Sequence, residues 1–225
     1  MRQIFLDTET TGLNPESGDR IVEIGCIELV NMVATGRSLQ LYLNPEMPMP
    51  AGAQEVHGLT DEFLADKPLF ADKVEEFVEF LGDAQLVIHN AQFDLGFLNA
   101  ELARAGRAKL TNDYVDTVSL ARRKFPGQRA SLDALCDRFN IDNTKRTKHG
   151  ALLDSELLAE VYLELSGGRQ RDLGLAPEMA ATGLSGMLAV KRPVRPARPH
   201  AASAAELAAH AEFLKKVSDP IWLKE

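Results

Sequence analysis

Cysteine is nearly absent: Cys26 and Cys136 are the only two, each inside an apolar stretch. Two isolated thiols supply neither a zinc site nor a disulfide framework. They read as small buried hydrophobes in a reducing cytosol, which points to a cytoplasmic protein. Long apolar runs are absent too; none approaches the ~18 residues that cross a bilayer, so no membrane role is expected. The opening Met1-Arg2-Gln3-Ile4-Phe5-Leu6-Asp7 meets an acid too early for a secretory signal. Cations are in deficit, 25 Lys and Arg against 33 Asp and Glu, for a net charge of −8. A protein that gripped nucleic acid chiefly by neutralising phosphates would be basic. What is present is ordinary core material: 45% hydrophobic and 26% charged over 225 residues, enough for one or two domains.

The chain divides near Gly167-Gly168. Before it, residues 2–8, 21–30 and 39–44 have the branched and aromatic content of strands. The short polar stretch Ala34-Thr35-Gly36-Arg37 allows a hairpin between the second and third. Val74, Phe77, Val78 and Leu81 fall on one helical face that Gly82 ends. A strand at Leu86-Val87-Ile88, a helix through Leu95, Leu98 and Leu102, and a brief strand near Tyr114-Val115 follow. Ser131 is placed to cap a helix through Leu132, Leu135, Cys136 and Phe139, and Leu153, Leu157, Val161 and Leu165 mark another. A strand meander followed by alternating helices and strands predicts an α/β fold, a mixed sheet flanked by helices.

The chemistry lies in scattered acids. Asp7 and Glu9 leave the same face at the end of the first strand, where two carboxylates repel unless a cation sits between them. Asp94 stands where a helix begins after Leu86–Ile88, and Asp154 lies on the first turns of the last helix, shortly after His149. Singly, each acid reads as a solvated turn or a helix-start residue complementing the dipole. Together at strand ends and helix starts of one sheet they suit hard divalent cations, which take oxygen ligands. Two such ions about 4 Å apart clamp the attacking and leaving oxygens of a phosphoryl displacement. A histidine nearby suits proton removal from the attacking water. Asp116 reads equally as a supporting or a structural acid, and His89 as a hydrogen-bonded core histidine.

Phe5-Leu6-Asp7-Thr8-Glu9-Thr10-Thr11-Gly12-Leu13, His89-Asn90-Ala91-Gln92-Phe93-Asp94 and His149-Gly150-Ala151-Leu152-Leu153-Asp154 occur in the order of three exonuclease motifs. On them, residues 1–167 resemble the DEDDh 3′–5′ exonuclease family. Val56-His57-Gly58-Leu59-Thr60, Ala121–Gly127 and Ser131–Leu135 extend the likeness toward the proofreading epsilon subunits of bacterial DNA polymerase III. The resemblance implies a ribonuclease-H-like exonuclease fold over residues 1–168. It also implies two ions, Mg²⁺ or Mn²⁺, on Asp7, Glu9, Asp94 and Asp154, with His149 as general base. Thr8, Leu13, His57, Asn90 and Phe93 would line the pocket for a single-stranded or frayed DNA 3′ end. The implied reaction removes mismatched nucleotides from primer 3′ ends as nucleoside 5′-monophosphates.

Beyond the division, Lys191–Pro199 interleaves prolines with cations in an alanine-rich stretch, so residues 169–205 read as an extended linker. Gln170, Leu173 and Leu175 resemble the family's sliding-clamp-binding peptide, with a leucine where an aromatic is common. Residues 206–225, with Leu214 and Trp222, resemble its polymerase-binding segment in character rather than close sequence. Two rivals stand beside this reading: a free-standing nuclease of the same family acting on RNA or oligonucleotide ends, and a catalytically dead scaffold. The full set of acids with His149 argues against the scaffold.

Overall fold

In the computed structural model, residues 1–167 and 201–218 are described, in two units. Gln170, Leu173, Leu175 and Trp222 lie outside the described residues. The first unit is built on a five-stranded sheet in the order β3-β2-β1-β4-β5. β1 (Arg2–Thr10), β2 (Ile21–Val30) and β3 (Val33–Tyr42) form an antiparallel meander. β4 (Gln85–Ile88) then pairs parallel to β1, and β5 (Tyr114–Asp116) parallel to β4. The helices of this unit are α1 (Ala51–His57), α2 (Asp61–Leu64), α3 (Phe70–Leu81), α4 (Ala91–Arg104), α5 (Thr117–Lys124), α6 (Leu132–Phe139) and α7 (Ala151–Leu165).

Alternation along β1 feeds a core on each face of the sheet. Ile4 and Leu6 pack with residues of α3 and α4, including Phe77, Phe97 and Leu98. Phe5, on the other face, packs with α6 and α7 through Leu135, Cys136, Leu158 and Val161. Both cysteines are buried and free. Ser131 caps α6 as expected, its hydroxyl accepting from Ala134 N–H at 3.3 Å.

The hairpin differs from expectation. Its turn is at Asn31 and Met32, with φ of 52° and 67°, a type I′ pair joining Val30 to Val33. Thr35 and Gly36 instead lie within β3, where the register slips opposite the segment between Ile27 and Leu29. Glu28 holds the irregular segment: it accepts from Thr35 Oγ1 at 2.7 Å and from Arg37 at 3.0 Å, and Gly36 supplies a φ of 83°. In the second unit, α8 (Ala204–Leu214) starts at a capping box of Ser203 and Glu206 and ends at buried Leu214. No helix among the described residues is long and apolar enough to cross a membrane.

Candidate active site

β1, α4 and α7 each bring acids to one end of the sheet. Asp7 and Glu9 extend the face of β1 that carries Phe5, toward α7. Across the meander β2 seats the start of α7. Ser155 Oγ donates to the Gly25 carbonyl at 2.9 Å, and Glu23 accepts from the Ala151 N–H. That acceptor replaces a side-chain cap, which Gly150 cannot supply. A Cβ on Gly25 would lie 2.2 Å from the backbone of Ala151 and Leu152, so glycine permits this approach. Asp154 is thereby held, buried, beside Glu9; Glu9, His149 and Asp154 each offer a ligand atom, all within 4.8 Å of one another.

Asp94 arrives from the first turn of α4 and accepts from Thr8 Oγ1 at 2.7 Å. Asn90, just ahead of that helix, adopts a left-handed φ of 72°, and its N–H donates to Asp116 at 3.0 Å. Asp116 also caps α5 through the N–H groups of Val118 and Ser119, a structural role. His89 Nδ1 is hydrogen-bonded to Thr117 Oγ1 at 2.8 Å. The loop after β1 is closed by Thr11 N–H on the Arg20 carbonyl, and Arg20 is paired through Nε with buried Glu101 of α4 at 2.6 Å.

Crowding sets the electrostatics. Asp7 is pushed well above the usual carboxylate range by burial, then by Asp94, Glu9 and Asp154. Glu9 rises to about 8 through burial, Asp154 and Glu23, and Asp94 to about 7 through burial. Glu9 Oε1 is buried with no hydrogen-bond partner. His57, closing α1, accepts from Leu59 N–H on Nδ1 at 3.0 Å, which leaves the proton on Nε2. That Nε2 is likewise buried, with the Thr10 backbone as its neighbour but no well-formed hydrogen bond. His149 is 48% exposed, and its N–H donates to the Val56 carbonyl of α1 at 3.2 Å.

The four acids and the histidines border one cavity of about 650 Å³. Asp7, Glu9, Asp94, Asp154, His149, Thr8, Leu13, His57 and Phe93 line it; Asn90 does not. Arg146 also lines it, and nothing in the sequence reading had marked that residue. It sits in Lys145-Arg146-Thr147-Lys148, which reads as a solvated basic run, and its proximity to His149 was the available signal.

Buried carboxylates converging from a strand and two helix starts, with a histidine at the cavity wall, define a phosphodiester-cleaving enzyme. The chain belongs to the exonuclease family, whose model matches residues 4–162, and it is a 3′–5′ exonuclease. It is 47% identical to the DNA polymerase III subunit epsilon of Salmonella typhimurium, over 98% of this chain and 97% of that one. The subunit of the same name from Rickettsia felis is 55% identical over 174 residues, 76% of each chain. Among solved structures, exonuclease X in complex with 5′ overhanging duplex DNA aligns with a TM-score of 0.56 at 25% identity, over 73% of this chain and 90% of that one. The nuclease domain of 3′hExo, a DEDDh family member bound to rAMP, shares the fold at TM-score 0.64 and 17% identity, with the same coverage.

Proposed function

We propose that Asp7, Glu9, Asp94 and Asp154 hold two divalent ions, Mg²⁺ or Mn²⁺, and that His149 is the general base of a proofreading exonuclease. The observation that carries this is the buried Glu9 Oε1 without a partner, amid acids whose pKa values rise from burial first and then from mutual repulsion. Such a donor set fits hard cations with oxygen preference. Bound there, the ions would supply charge neutralisation for the phosphoryl displacement.

The chain's own groups do the rest. His149, half exposed beside Asp154, takes the proton of the attacking water. Thr8 fixes the Asp94 carboxylate from β1. His57 Nε2–H, without a well-formed hydrogen bond in the wall, donates to the sugar or phosphate of the terminal nucleotide. Phe93 and Leu13, the latter 84% exposed, give apolar faces to the terminal base, and Asn90, just ahead of α4, completes the proposed set of substrate-binding residues. The product is a nucleoside 5′-monophosphate. Mismatched ends are preferred because an unpaired 3′ end enters at lower cost, without base reading.

Similarity to the Salmonella relative extends over 98% of the chain, which supports a role beside a replicative polymerase in the cytoplasm. On this reading Leu214 and Trp222 contact the polymerase, and Gln170, Leu173 and Leu175 a sliding clamp. The test is release of nucleotides from a mismatched primer in Mg²⁺. Asp7→Ala should lower the rate by orders of magnitude while the fold survives, since removing one crowded charge relieves repulsion. Full activity of Asp7→Ala overturns the site.

A further inference from the structure

Among the described residues lining the cavity, Arg146 is the only lysine or arginine, and its side chain is 8% exposed. Its Nε and Nη2 donate to the two oxygens of Asp154 at 2.5 and 2.7 Å. Nη1 donates to Asp133 at 2.8 Å, and Nη2 lies 2.9 Å from His149 Nδ1. A guanidinium has donors only, so Nδ1 accepts there and its lone pair is engaged. The Arg146 charge also bears on Asp7 and Glu9, opposing the burial and repulsion that raise both.

We propose that Arg146 is a resident counter-cation of the acidic site which a divalent ion must displace from Asp154, so that loading the site also frees the His149 ring. The inference rests on Asp154 being a metal ligand. The geometry makes the two cations rivals: the fork engages both oxygens of Asp154, and a guanidinium and a divalent ion repel across so short a gap. A way out exists. Asp133, 56% exposed, already holds Nη1, so Arg146 can pivot on Asp133 toward solvent without losing every partner. Arg146 is then a positioning residue that sets metal affinity and the availability of His149.

The test is calorimetric titration of the full chain with Mn²⁺ alone, for wild type, Arg146→Met and Arg146→Lys. Competition between two ligands for one site is a coupling, and couplings commonly amount to about 5–150-fold. Arg146→Met should therefore bind Mn²⁺ more tightly than wild type by a factor in that range. Arg146→Lys, which keeps the charge and loses the fork, should fall between them. In EDTA, Arg146→Met should melt below wild type, and saturating Mn²⁺ should narrow the gap. A merely structural role predicts the opposite sign, because a damaged site binds metal less well. Equal or weaker Mn²⁺ binding by Arg146→Met overturns the proposal while leaving the metal site intact. If that variant does not fold in EDTA, Arg146→Lys binding no tighter than wild type overturns it. Wild type binding no Mn²⁺ would instead remove the metal-site reading on which the proposal stands.

Discussion

Replacing Gly25 by Ala probes how the site is supported from outside the cavity. The added Cβ would lie 2.2 Å from Ala151 C and Leu152 N, both backbone atoms that no rotamer change can move aside. Carbon contacts are comfortable only at about 3.5 Å and beyond, so β2 and the first turn of α7 must separate by about an ångström. That turn carries Asp154 and follows His149, and its hydrogen bond from Ser155 to the Gly25 carbonyl stretches with it. Overpacking of this kind costs about 2 kcal/mol, which lowers the melting temperature of a domain this size by roughly 4–8 °C. Misplacing a catalytic group by about 1 Å costs on the order of 100-fold in rate. Activity should thus fall far more than stability. The assay is kcat on single-stranded DNA beside a thermal melt of the same preparation. Wild-type rate and melting temperature in Gly25→Ala would refute the claim that this close approach positions Asp154.

Stability in a chelator should fall as pH rises. Glu9 at about 8 and Asp94 at about 7 stand above their ordinary values of 4.5 and 3.8, so the unfolded chain releases these protons first. The stabilisation is full below about pH 4 and lost toward pH 8; melts in EDTA across that range check it, and saturating Mn²⁺ should flatten the slope. Gly96, inside α4, has only Pro15 Cγ at 4.0 Å from its would-be Cβ, so Gly96→Ala should stabilise by about 0.5–1 kcal/mol in a denaturant titration. Truncation after Gly168 keeps every strand of the sheet and helices α1 to α7, so residues 1–168 should still degrade single-stranded DNA. Gel filtration with the host polymerase should show that the same truncation loses association.

Much of the frame was legible because burial writes itself locally. Alternation and branched residues mark β1 and β2, and Val74, Phe77 and Leu81 mark α3, because each element buries one continuous face. Failures occurred where the deciding partner is distant or unusual. Gly36 resembles a turn former but serves an irregularity opposite Glu28, whereas Met32 takes the left-handed conformation that glycine usually supplies. α1, α2 and α5 have only His57, Leu64, Thr117 and Ala121 buried, too few to print a period. The acids were visible from their setting at strand ends and helix starts. Arg146 was not, because its partners Asp133 and Asp154 stand on α6 and α7 and meet it only in the fold.

The acidic balance of the chain takes its meaning from this arrangement. A net charge of −8 disfavours a broad grip on phosphate, yet the site concentrates further carboxylates in the cavity where a phosphate must react. Left alone, Glu9 and Asp94 respond to burial, and Glu9 also to Asp154 beside it, by holding protons near neutral pH, which weakens them as ligands. The site therefore works only while cations offset its own repulsion, and Arg146 is the cation that the chain itself provides. A single buried guanidinium offsets part of several carboxylates, enough to hold Asp154 in place and too little to satisfy Glu9 Oε1. On the proposed reading, that shortfall is the driving force for a divalent ion to enter. Because the acids come from β1, α4 and α7, the shortfall exists only in the folded sheet, so an ion bound there should stabilise the fold.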